Sequence, residues 1–204
     1  MARLLALMAM VFTFASAAAA DPVRIVAFGD SLTAGHGIPK AEAFPAQLQR
    51  ALRAKGLNVE VVNAGVSGET APQGLARLDW SVPDGTDAVI VELGANDMLR
   101  GQSPAVAAKA LGEIVRRLKA RGILVLLAGM RAAPNLGADY RARFDAIYPE
   151  IATREGVPLY PFFLDGVAGD PALNLPDGLH PTPMGVARIV AGIQIGRASC
   201  RERV

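Results

Sequence analysis

Cysteine is all but missing from this chain of 204 residues. Cys200 stands alone, so no intrachain disulfide can brace the fold. Stability must come from a buried apolar core, which a body of about 180 residues can supply. Histidine is scarce as well: His36 and His180 are the only two, which leaves any imidazole chemistry little choice. Charge of one sign is also lacking. Arg3 accounts for one unit of the formal +2, and Arg197, Arg201 and Arg203 against Glu202 account for two more, so the body between is one unit negative. No basic field for nucleic acid or an anionic membrane is present. The chain has no repeat, no low-complexity block and no Gly/Ser linker, and it reads as a single domain.

The longest apolar stretch, Leu4 to Phe14, is too short for a comfortable membrane span. It follows Arg3 and leads into "ASAAAA", the pattern of a cleaved secretory signal. Residues 1–20 are therefore expected to be a signal peptide, 21–195 the folded domain, and 196–204 a tail of uncertain origin. The expected location is periplasmic or secreted. In the tail, "GRASCRERV" breaks the apolar helix pattern of "MGVARIVAGIQ".

What is present is alternation. Val23 to Phe28 reads as a strand, and Phe44 to Lys55 as a helix with Phe44, Leu48 and Leu52 on one face. Val59 to Val62, "DAVIVELG" and Ile123 to Gly129 read as strands, the last apolar enough to be buried on both faces. Between them lie helices at Pro72 to Leu78, Ser103-Pro104 to Arg121, and Asp139 to Glu155. "VPLYPFF" reads as a weak edge strand, and Thr182-Pro183 starts a final helix. Such alternation predicts an open parallel sheet covered on both faces. In these sheets ligands bind beyond the carboxyl ends of the strands. The loops at Ser31, "GVSGET", "GANDML" and "LPDGLHP" would converge there.

Each loop allows two readings. Ser31 is either a helix cap, shared with Thr33, or a nucleophile. Asp177 and His180 are three residues apart, so a carboxylate could hold an imidazole that takes a proton from serine, or "PDG" is only a turn. His36 reads as a surface loop residue and is the alternative base. Gly68 can offer its N–H unobstructed and Asn96 its amide, both suited to an oxyanion, or they are a turn residue and a cap. The G-x-S-x-G elbow of the α/β-hydrolases is absent.

Taken together, "FGDSLTAG", "NAGVSGET", "ELGANDMLRG" and "DGLHPTPMG" resemble, in order and spacing, the four sequence blocks of the GDSL or SGNH hydrolases. The resemblance runs from Val23 to Ile193. "VNAGVSGETAPQGLARL" and "LYPFFLDGVAGDPALNLPDGLHPT" are similar to the exported bacterial arylesterase and thioesterase I/lysophospholipase branch. It implies a flavodoxin-like three-layer α/β/α sandwich with about five parallel strands. It also implies Ser31 as nucleophile, His180 as base and Asp177 as its orienter, with Ser31, Gly68 and Asn96 as the oxyanion hole and neither metal nor cofactor. The expected activity is hydrolysis of aryl and alkyl esters, acyl-CoA thioesters and lysophospholipids through an acyl-enzyme.

Met98, Leu99, Met130 and Leu136, with Tyr140 nearby, could line an acyl or aryl pocket, although core packing accounts for Met130 equally well. A carbohydrate O-acetyl esterase is the nearest alternative within the family. Outside it stand a phosphoesterase holding metal on Asp30, Asp97, Asp177 and His180, and an exported binding module without turnover. The expected partner is a small-molecule substrate, bound by a monomer with no nucleic acid and no membrane span once the signal is removed.

Overall fold

A computed structural model describes residues 21–201, with side chains through Gln194. Residues 1–20, the expected signal peptide, lie outside the described residues. Five parallel strands run β1 Val23–Gly29, β2 Val59–Gly65, β3 Ala88–Glu92, β4 Leu124–Ala128 and β5 Leu159–Tyr160. Their order in the sheet is β2-β1-β3-β4-β5, the flavodoxin-like arrangement. β1 and β3 are central and buried along nearly their whole length, as their Val, Ile and Phe runs require.

Helices fill the connections: α1 Ser31–Ala34, α2 Phe44–Arg53, α3 Ala71–Ser81, α4 Ala95–Leu99, α5 Pro104–Ala120, α6 Ala138–Asp145, α7 Ile147–Glu155 and α8 Pro183–Arg201. The step from β1 to β2 runs opposite to the later steps. Right-handed crossovers therefore put α2 on one face and α3, α5 and α7 on the other. The packing agrees: α2 lies against α8, while α5 lies between α3 and α7. Phe28, Leu78, Leu111, Leu127 and Tyr148 are among the fully buried side chains at the centre.

The expected helix over 139–155 is two helices meeting at Ala146. Pro149 has no N–H to offer the Asp145 carbonyl, and its ring crowds that group, so the helix restarts. Ser103 occupies the cap position of α5, but its side chain makes no capping bond. Thr182 does cap α8, accepting the Gly185 N–H at 3.2 Å. A Thr70–Gln73 capping box begins α3 one residue earlier than the pattern predicts. α8 continues past Gln194, where its apolar pattern stops.

The order in which strands are added reverses between β1 and β3, so the connections leaving their paired carboxyl ends pass to opposite faces and open a crevice. α1 leaves β1 there and α4 leaves β3.

Candidate active site

Strand β1 ends at Gly29 and the chain turns directly into α1. The cap of that helix is Asp30, whose carboxyl accepts the Leu32 N–H at 3.0 Å. Ser31 is the first helical residue, so its hydroxyl has no capping duty and stays half-buried at the crevice. At the other end of the chain, Asp177 forms a turn with its own backbone. Its Oδ1 accepts the N–H groups of Leu179 at 2.8 Å and His180 at 3.0 Å. Its Oδ2 lies 2.7 Å from His180 Nδ1. The turn at "PDG" and the contact with the imidazole thus coexist: the turn is what aims the carboxylate. His180 Nε2 lies 3.0 Å from Ser31 Oγ, across 149 residues of sequence.

The backbone N–H of His180, the ring of His180 and the N–H of Leu179 together hold the Asp177 carboxyl well below the usual carboxylate range. An ionised carboxylate only accepts, so Nδ1 must donate to it. Nε2 is then left bare to accept the Ser31 hydroxyl proton.

Asn96, in the first turn of α4, donates from Nδ2 to Asp30 Oδ2 at 3.0 Å. One amide hydrogen is used to fix the side chain and the second remains for another acceptor. Gly68 has φ +82°, a left-handed conformation that favours glycine. Arg100, the residue that closes α4, donates to the Gly68 carbonyl at 2.6 Å and ties the two loops together.

Three acids sit beneath this rim. Asp30 and Glu92 are wholly buried and Asp97 nearly so. Burial pushes Asp30 up to about 6, against the bonds from Leu32 and Asn96. Burial, and then the charge of Asp30, raise Glu92 well above its ordinary value. Burial also raises Asp97, whose Oδ2 accepts the Ala71 N–H at 2.8 Å. All three hold protons more tightly folded than unfolded. The contribution of Asp30 is thus greatest in acid and declines as pH rises from about 4 through 6, and Glu92 and Asp97 act in the same sense. Among the described residues, no three His, Cys, Asp or Glu side chains are grouped as a metal would need.

The substrate wall differs from expectation. Met98 and Met130 are 7% and 3% exposed and belong to the core. The Met98 sulfur accepts the Ala133 N–H, which turns the side chain inward. Leu99 is 53% exposed beside Asn96. Leu136 is half-buried and, with Tyr140 and Arg143, lines an open hollow of ≈ 470 Å³. His36 is exposed, as expected of a surface loop residue, and its ring centroid lies 4.5 Å from that of His180. Its N–H bonds the Ser31 carbonyl at 3.1 Å. The pattern of the sequence did not single out Asp30 as the cap, Arg100 or Glu92. An Asp before a short helix and a Glu closing an apolar strand were the available signals.

Comparison with known proteins finds relatives among esterases and thioesterases. Residues 27–188 match the model of the GDSL-like Lipase/Acylhydrolase family. An arylesterase of Vibrio mimicus is 40% identical over 184 residues, 90% of this chain and 91% of the relative. The thioesterase 1/protease 1/lysophospholipase L1 of Escherichia coli strain K12 is 42% identical over 166 residues, 81% of this chain and 77% of its own length. The crystal structure of AlinE4, an SGNH-hydrolase family esterase, superposes with a TM-score of 0.76 at 46% identity, covering 90% of this chain and 98% of that one.

Proposed function

This chain belongs to the GDSL-like lipase/acylhydrolase family, and we propose on that footing that Ser31, His180 and Asp177 are the triad of its ester and thioester hydrolysis. The observation that carries the assignment is the unbroken line of bonds from Asp177 through His180 to Ser31, 2.7 and 3.0 Å long.

Ser31 Oγ attacks the carbonyl carbon while His180 Nε2 takes its proton. Asp177 stabilises the imidazolium that forms and keeps the ring in place. The tetrahedral intermediate bears an oxyanion, received by the N–H groups of Ser31 and Gly68 and by the free hydrogen of the Asn96 amide. His180 returns the proton to the departing alcohol or thiol, leaving an acyl group on Ser31. Water then repeats the sequence and frees the acid.

A fluorophosphonate should label Ser31 of the wild type and abolish hydrolysis of a nitrophenyl ester. An unlabelled but active protein would overturn the assignment. Asn96→Ala should lower kcat by about 10²–10³, the cost of one oxyanion donor, with KM little changed. A loss below tenfold would remove Asn96 from the hole.

The substrates are aryl and alkyl esters, acyl-CoA thioesters and lysophospholipids; aryl esters, thioesters and lysophospholipids are the classes for which the similar arylesterase and thioesterase/lysophospholipase are named. Leu99 and Leu136 are the apolar contacts for the acyl chain. Acetyl, octanoyl and palmitoyl esters, assayed beside an acetylated sugar, should show that Leu99→Ala and Leu136→Ala weaken the preference for longer chains. Preference unchanged in both variants would reject this wall, and a dominant acetyl-sugar activity would favour the O-acetyl esterase.

A further inference from the structure

Glu92 is an anomaly for a residue that only fills space. It closes the buried central strand β3, directly opposite Gly29 of β1 in the register. It is 0% exposed, and its Oε1 has no hydrogen-bond partner. A Leu or Met would fill the same volume without the desolvation a carboxyl incurs. The other oxygen is engaged: Oε2 accepts the Thr33 hydroxyl at 2.8 Å. The backbone N–H groups of Asp30 and Thr33 also face the carboxyl. A Cβ at Gly29 would overlap both the Thr33 hydroxyl and the Glu92 carboxyl, so the glycine is the vacancy that admits them. The carboxyl thus bonds the chain at residue 33, just after Ser31, and adjoins it at residue 30, just before.

We propose that Glu92 is a positioning residue for the nucleophile: through Thr33 and the Asp30 backbone it holds the turn that presents the Ser31 hydroxyl to His180. The inference rests on the reading of Ser31 as nucleophile. The same grip extends to the oxyanion donor, because Asp30 is the residue that fixes the Asn96 amide. Burial favours the uncharged form of the Glu92 carboxyl, and a glutamine reproduces its size and its acceptor oxygen without a charge.

The experiment compares Glu92→Gln with Glu92→Leu, reading kcat, KM and the rate of fluorophosphonate labelling, with thermal melts to verify folding. The Gln variant should stay within about threefold of wild type. The Leu variant should lose about 10- to 100-fold in kcat and in labelling rate, the order expected when one buried bond to an ionisable group is removed, with KM within about twofold. Should Glu92→Leu fail to fold, Thr33→Val breaks the same bond from its other end and should reproduce the loss, while Thr33→Ser restores it. Wild-type labelling by Glu92→Leu or Thr33→Val would overturn the proposal. So would equal damage in Gln and Leu, or a loss confined to KM. A wild-type protein that takes no label would instead overturn the nucleophile itself, and the two failures are thereby distinguished.

Discussion

Ser31→Ala should melt like the wild type and hydrolyse esters about a millionfold more slowly, as when the nucleophile of a triad is removed elsewhere. The fold has little stake in the hydroxyl. Asp30 caps α1, and Thr33 bonds Glu92. Ser31 Oγ is bonded to His180. The Ser31 carbonyl, which accepts from Gly35 and His36, survives the substitution. The residual rate would come from the N–H donors alone. Kinetics with a nitrophenyl ester beside a thermal melt would check both halves. A rate within a hundredfold of wild type would mean that another group attacks the carbonyl.

The second large effect is at Asp177. Asp177→Asn should lower kcat by about 10⁴ while leaving KM nearly unchanged. The amide oxygen can still accept from Leu179 and His180 and preserve the turn. Its NH₂ then faces Nδ1, which must become an acceptor, and the proton moves to Nε2. An imidazole so arranged cannot take the Ser31 proton. The side chain of Asp177 is 39% exposed, so water can partly replace it in Asp177→Ala, which should be less damaged than Asp177→Asn. The reverse order would show that holding the turn, which Asn preserves and Ala loses, matters more than fixing the tautomer.

Most of the sheet, and the loops that meet at its rim, are legible in the sequence. Strands β1 and β3 announce themselves because runs such as "IVAF" and "VIV" are apolar on both faces. The site loops follow from the rule that open sheets bind at their carboxyl ends. Neither the spacing of residues nor the four motif blocks revealed what lies beneath. Glu92 looks like the end of a strand until Gly29 and Thr33 are seen beside it. Arg100 reads as a surface charge until its reach to the Gly68 carbonyl is known. Met98 and Met130 alternate too little with polar neighbours for periodicity to tell wall from core. The break at Ala146 was readable in principle from Pro149. The apolar spacing on either side continues in phase and hides it.

The site also depends on the chain as a whole. Ser31 and His180 stand 149 residues apart, and the rim draws on the ends of β1, β2 and β3 as well as on the segment before α8. No local fragment carries a nucleophile together with its base. In a polypeptide whose crucial encounters are this long-range, loop-closure entropy must be overcome before the two can meet. Catalytic competence consequently belongs to the assembled sheet and to no fragment of it.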